Sequence, residues 1–498
     1  MTRIALGIVC VALLVPASGA SAASCDDLSS LKLPDATITS AHTVAAGAFT
    51  QPGRGGATVA VPDLPAFCRV QATLRPSSDS DIHMEVWLPA AGWNGKFEEV
   101  GNGGWVGSVD TNAMAAALRR GYAAAGSDLG HQGGGGPWMA NPEKLIDFGY
   151  RATHETAVKA KAIVAAFYGN APRLSYFQGC SAGGRQALKE AQQFPADFDG
   201  IIAGSPALDT TGRAAFAIWV AQNTHKTEGS FIPREKFPVI HEAALAACDA
   251  RDGVKDGVIT DPRSCRFDPA VLTCKAGDAA SCLTPAQVET AKTMYEPLRN
   301  PRTKAEIFPG FEPGSELGWT TMGSPQPFIL GAQMFEFMLY KNPQWDYKTV
   351  DFDRDMAAVD KIEGGHINAK QTDLSAFIAR GGKMIQYHGW ADPQISPASS
   401  VEYYEAALKA NKGRLQDDYR LFMVPGMNHC GGGDGPASFD MLTALEHWVE
   451  QKQAPASIPA AHLEGGKPDR TRILCPHPQV ATYKGSGDPN DASNFVCK

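Results

Sequence analysis

Leu174–Phe194 reads LSYFQGCSAGGRQALKEAQQF, and this stretch decides the fold. Leu174–Gln178 is a short apolar run of strand character, and from about Gly183 to Phe194 the apolar residues recur at helical spacing. Between them Gly179-Cys180-Ser181-Ala182-Gly183 fits G-x-S-x-G. Glycines let the chain turn sharply there, which strains the serine backbone and presents its hydroxyl at the end of a sheet. The helix that follows aims its first amides at the same point and favours negative charge. Ser181 is therefore a candidate nucleophile; a plain strand-to-helix turn is the alternative.

Working outward, the same alternation continues on both sides. His83–Pro89 and Gly121–Gly126 read as strands, Ala152–Tyr168 as a helix closed by Gly169, and Gly200–Gly204 as the next strand. Strand, helix and strand in this order predict a mainly parallel sheet with right-handed crossovers, an α/β-hydrolase core. The alternation breaks near Leu208. From there to about Trp345 the chain carries four cysteines, many prolines and glycines, and an acidic loop. Two further strands follow, Lys383–His388 and Tyr419–Val424. The expected organisation is a catalytic domain over 24–207 and 346–498, interrupted by a lid domain over 208–345.

A serine hydroxyl attacks only when a base takes its proton, and the base must be held in one tautomer by an acid. In this fold class the chain order is Ser, then Asp or Glu, then His. Asp392 lies just after the strand ending at His388, and His429 just after the strand ending at Val424, both in loops. They complete the expected triad. His388 is the competing base, read here as a hydrogen-bonded structural histidine. His154 falls in the helix before the elbow and is expected to be buried or supporting. Charge developing on the carbonyl oxygen needs donors. The Ala182 amide should be one; Gly103 or Gly104 in Gly101-Asn102-Gly103-Gly104-Trp105 should supply the other, unless that segment is only a turn.

The 498 residues carry a net charge of −8, with 44% hydrophobic and 20% charged residues. That balance gives no basic footprint for nucleic acid. Arg3, the apolar run Ile4–Val15 and Ala20-Ser21-Ala22 read as an export signal over 1–23, too short to anchor in a bilayer. Export leads to the periplasm or the medium. One of the 11 cysteines, Cys10, lies inside that signal, and an even remainder in an oxidising compartment suggests disulfides. Spacing pairs Cys25 with Cys68, Cys248 with Cys265, Cys274 with Cys282, and Cys475 with Cys497. Cys180 and Cys430 remain, beside nucleophile and base, where a bridge would tie the two loops; buried thiols are the alternative. No CxxC pair argues for a cysteine-bound metal. In Cys248–Val258 three aspartates, Asp249, Asp252 and Asp256, stand among turn-forming glycines, as suits either Ca²⁺ or a solvated acidic turn.

These residues together resemble the tannase and feruloyl esterase family. The resemblance rests on Cys180-Ser181, Asp392 and His429-Cys430, on the GNGGW and HGWAD segments, and on the acidic loop. It implies a disulfide joining the two triad loops and a lid over the site. It also implies a structural Ca²⁺ held by Asp249, Asp252 and Asp256 with the carbonyls of Val254 and Val258. The implied substrates are small aromatic esters: hydroxycinnamoyl, galloyl or, in one branch, mono(2-hydroxyethyl) terephthalate. Trp319 and Phe328 are weighed as aromatic walls against plain core residues. No arginine to clamp a terephthalate carboxylate can be placed, which favours a phenolic-acid ester over the half-ester. A peptidase on the same triad and a non-catalytic secreted binding module are the rivals from other classes.

Overall fold

The structure is a computed structural model that describes residues 23–52, 57–411 and 414–498. The export signal expected over 1–23 lies, but for its last residue, outside the described residues. A nine-stranded sheet runs through the molecule. Its strands in chain order are β1 (Ala36–Val44), β2 (Phe67–Leu74), β3 (Ile82–Pro89), β4 (Lys96–Val100), β5 (Ala123–Ser127), β6 (Leu174–Cys180), β7 (Gly200–Gly204), β8 (Lys383–Gly389) and β9 (Tyr419–Val424). In space they lie in the order β1-β2-β3-β5-β4-β6-β7-β8-β9. From β5 to β9 every pairing is parallel, and β1, β2 and β3 add an antiparallel edge.

Both faces are covered, which is why the parallel strands read as apolar runs rather than alternating ones. Six of the helices bear on the argument: α1 (Thr111–Arg119), α2 (Ala152–Tyr168), α3 (Ala182–Gln193), α4 (Thr210–Thr224), α5 (Pro397–Ala410) and α6 (Met441–Gln451). Ala157, Ile163, Val164, Ala187 and Leu188 of α2 and α3 pack on one face together with α5. Met114 and Leu118 of α1 and Leu445 and Trp448 of α6 pack on the other. Ala123-Ala124-Ala125 keeps β5 thin, so that α2 and α1 approach it closely from opposite sides. Gly169 closes α2 in the left-handed conformation, at φ 74°, where a glycine carries no Cβ penalty.

The chain leaves the sheet after Gly204 and returns to it at Lys383. Helices, short turns and the Cys248–Cys265 and Cys274–Cys282 disulfides fill the interval. Trp319 is fully buried there, 5.0 Å from the Tyr295 ring and donating from Nε1 to Ser315 Oγ at 3.0 Å. It is core and not a wall of the site, because its ring is walled in on the inside of this segment. The chain ends in a small antiparallel sheet (Ser438–Phe439, Ile458–Glu464, Lys467–Leu474) and a hairpin, the latter held by Cys475–Cys497. Cys25–Cys68 ties the N-terminal turn to β2. No helix among the described residues is long and apolar enough to cross a membrane.

Register sets the position of the site. Cys180, Gly204, Tyr387 and Phe422 are successive partners across β6, β7, β8 and β9. The loops that follow β6, β8 and β9 therefore leave the sheet at the same edge, the carboxyl ends of parallel strands, where ligands bind in open α/β sheets.

Candidate active site

Ser181 sits between β6 and α3 at φ 64° and ψ −118°, a backbone region that non-glycine residues seldom occupy. Three backbone hydrogen bonds hold it there. Its amide donates to the Gly204 carbonyl at 2.9 Å, and its carbonyl accepts from Ala207 and Arg185 at 3.0 and 3.1 Å. The turn closes because no side chains intervene. A Cβ on Gly179 would stand 2.6 Å from the Gly183 backbone, and one on Gly101 2.6 Å from the Gly183 Cα.

His429 Nε2 lies 2.9 Å from Ser181 Oγ, and His429 Nδ1 lies 2.7 Å from Asp392 Oδ2. Hydroxyl, imidazole and carboxylate thus form one hydrogen-bonded row from three distant stretches of chain. Asp392 is fully buried. Burial alone would push its carboxyl up. The charge of His429 and hydrogen bonds from His388 and His429 outweigh that and hold it well below the usual carboxylate range. Its second oxygen accepts from the Gln394 and Ile395 amides at 2.8 and 3.0 Å. An ionised, immobilised acceptor keeps the imidazole in the tautomer whose Nε2 faces the hydroxyl.

The base loop is fastened on both sides. The Cys180–Cys430 disulfide links the residue before Ser181 to the residue after His429. The Met427 carbonyl accepts from the Ala391 amide at 3.1 Å, which joins the base loop to the acid loop. The Gly101–Gly104 loop lies against the start of α3: the Gly183 amide donates to the Asn102 carbonyl at 2.7 Å, and the Asn102 side chain donates to the Ser108 and Ser127 carbonyls. A Cβ added to Gly103 would meet nothing within 4 Å, so this one residue of the loop borders open space.

A family model described as tannase and feruloyl esterase matches residues 68–498. The chain belongs to the tannase and feruloyl esterase family. It is a carboxylic ester hydrolase, and its substrate is an ester. An uncharacterized esterase of Xanthomonas campestris pv. campestris is 40% identical to it, across 98% of this chain and 92% of that one. A probable feruloyl esterase B-1 of Aspergillus oryzae is 33% identical, across 87% of this chain and 84% of that one. The crystal structure of feruloyl esterase B from Aspergillus oryzae superposes with a TM-score of 0.89 at 32% identity, covering 94% of this chain and 98% of that one.

Two residues of the esterase's site carry more than their sequence context suggests. His388 is fully buried, with Nε2 3.1 Å from Asp392 Oδ2 and Nδ1 2.7 Å from Ser400 Oγ. It braces the acid and does not reach the serine. Arg213, one turn into α4, has no counterpart in the sequence reading. Its guanidinium is buried, 5.4 Å over the Phe328 ring, and its Nε has no hydrogen-bond partner. Burial pushes it down to about 10 against the opposing pull of Asp392. Phe328 opens the short helix Ile329–Gln333, whose Leu330 would meet a Cβ on Gly104 at 3.3 Å and whose Leu330 carbonyl accepts from Trp105 Nε1. Phe328, under the Arg213 guanidinium, is thus two residues from Leu330, which packs on the Gly101–Gly104 loop. The signal for Arg213 in the sequence was one charge inside an otherwise apolar helix.

The acidic loop folds as a tight turn. Asp249 accepts from the Asp256 and Gly257 amides at 3.1 and 3.0 Å, and Asp252 from the Val254 amide at 2.9 Å. Arg472 binds Asp256, with Arg470 at 3.5 Å. Asp252 is pushed up by burial first, and the charges of Asp256 and Asp249 add to it. Three carboxylates with carbonyls around one turn are hard oxygen donors of the kind Ca²⁺ takes, although Asp256 is engaged by Arg472 and Asp252 by Thr260.

Proposed function

We propose that this esterase cleaves esters of aromatic acids by a two-step acyl transfer at Ser181. The observation that carries the reading is the row from Ser181 Oγ through His429 to Asp392. Ser181 Oγ attacks the ester carbonyl while His429 Nε2 takes its proton, and Asp392 stabilises the resulting imidazolium. The amides of Ala182 and of Gly103 or Gly104 receive the developing oxyanion. His429 returns the proton to the departing alcohol. A water then gives its proton to His429 as it attacks the acyl carbonyl; the C–O bond to Ser181 breaks, the serine regains a proton, and the acid leaves.

A phenolic acid of the hydroxycinnamoyl or galloyl kind is the preferred acyl group, in line with the feruloyl esterases it is similar to. A half-ester of an aromatic diacid is the second reading, and Arg213 favours it: a buried guanidinium with an unpartnered Nε beside the site suits a carboxylate. Segment 208–345 acts as the lid. Asp249, Asp252 and Asp256 with the carbonyls of Val254 and Val258 would hold Ca²⁺, which supplies charge to fix that loop. The chain is exported, as its apolar start and five disulfides support.

Ser181→Ala should lower turnover of methyl ferulate by about 10⁴-fold or more while leaving the melting temperature unchanged. A fluorophosphonate probe should label the native chain and spare the variant. Turnover retained by the variant would overturn the assignment. Comparing kcat/KM for methyl ferulate, methyl gallate and a terephthalate half-ester decides between the two acyl groups.

A further inference from the structure

Beneath α2 and α3, nine residues along α3 from the elbow, a second group of polar side chains converges away from the catalytic row. Glu190 of α3, Asp197 in the turn before β7 and His154 of α2 each offer one ligand atom, all within 4.8 Å of one another. His154 Nδ1 is 2.6 Å from Asp197 Oδ2, and the His154 ring stacks on Phe194 at 3.9 Å, which fixes its plane. Glu190 is fully buried, and neither of its carboxylate oxygens has a hydrogen-bond partner. Glu99 of β4 is buried beside them, also with an unpartnered oxygen. Lys161 of α2 is the cation that faces the group, and its Nζ donates to the Asp197 carbonyl.

Three carboxylates against one ammonium leave two negative charges beneath a layer of helix. Buried charge persists only when it is neutralised and its lone pairs are satisfied. Protons would cancel the charge, and burial with mutual repulsion does push Glu190 and Glu99 well up. A protonated Glu190 can share its proton with Asp197, but its other oxygen and Glu99 Oε2 stay without partners. A divalent cation cancels both charges and gives Glu190 a partner at the same time.

We propose that His154, Glu190 and Asp197 form a divalent-cation site, with Glu99 beside it. One imidazole nitrogen and two carboxylates suit a transition ion of the Zn²⁺ or Mn²⁺ class rather than Ca²⁺. Neighbouring ligands on a tetrahedral zinc stand about 3.4 Å apart. The ion replaces the His154–Asp197 hydrogen bond after the two side chains part by less than about 1 Å. The His154 side chain is 28% exposed, which leaves an entry path and room for a water as the remaining ligand. Bound there, the ion would clamp α2, α3 and the turn into β7 from behind the sheet, without touching substrate.

The test uses the full mature chain, stripped with a chelator and then kept in excess Ca²⁺ so that the acidic loop does not compete. Zn²⁺ titrated by calorimetry should bind as a single ion per chain, and Co²⁺ in its place should give visible d–d bands. Glu190→Gln should weaken Zn²⁺ binding by about 100-fold while ester turnover stays unchanged. His154→Gln, at a more exposed position, serves if Glu190→Gln does not fold. The proposal is overturned if the native chain binds no more Zn²⁺ than the variants, or if Glu190→Gln raises the melting temperature without altering metal content.

Discussion

Two histidines end at neighbouring strands, and only their contacts separate their roles. His429 touches the serine; His388 touches the acid from the opposite side. Asp392 Oδ2 is thus shared between two imidazoles, and whatever His388 donates weakens what Asp392 offers His429. Removing His388 takes a hydrogen bond and a brace from the acid, so His388→Phe is expected to lower kcat by about tenfold with KM changing less. Ser400→Ala, which removes the partner of His388 Nδ1, should lower kcat by less. Unchanged kcat in both variants would mean that His388 only fills space. At this scale Ser181, Asp392 and His429 were legible because each follows a strand in the order the fold requires. Arg213 was not, since one charge in an otherwise apolar helix hints at burial but says nothing of what the guanidinium meets.

Among the elements, β4 escaped the sequence reading for a physical reason. A strand inside a parallel sheet covered on both faces should be apolar, yet Lys96-Phe97-Glu98-Glu99-Val100 carries two carboxylates into the interior. The outer strands β1 and β2 escaped too, because their antiparallel partners are set by sheet order rather than by any local pattern. Glu98 makes the cost of such a strand measurable. Its Oε2 has no partner, and burial pushes its carboxyl up to about 8, with Glu446 and Asp440 adding to the rise and Arg120 opposing it. A carboxyl raised in the folded state binds its proton more tightly there than when unfolded. Its contribution is therefore fully present below about pH 4.5 and is lost as pH rises through about 8. Each unit of displacement corresponds to about 1.4 kcal/mol. Thermal melts should show Glu98→Gln more stable than the native chain above about pH 8 and close to it in acid. A native melting temperature that does not decline across that window relative to the variant would refute this account.

For the whole molecule, spacing alone anticipated the near pairs of cysteines, since short loops leave few partners. Cys180–Cys430 closes a separation of 250 residues and was legible only because both cysteines neighbour candidate catalytic residues. In the chain-entropy model a loop of that length contributes about 5 kcal/mol. Its larger effect should be on geometry: Cys180→Ala with Cys430→Ala should lower the melting temperature and also reduce kcat by about 100-fold, with KM changing far less. A double variant that melts earlier yet keeps its kcat would show the bridge to be a staple only. Around the elbow the chain passes itself at glycine contacts: Gly101 and Gly179 against Gly183, and Gly184 within 2.3 Å of the Gly204 carbonyl once a Cβ is added. Not even a methyl group fits at those crossings, so the catalytic floor is closed to gradual change. Past Pro206, whose Cα would meet a Cβ on Gly184 at 2.9 Å, the chain as far as Gly382 takes no part in the crossings at the elbow. If that stretch is the proposed lid, inheritance can reshape its walls while the crossings beneath the serine stay as they are.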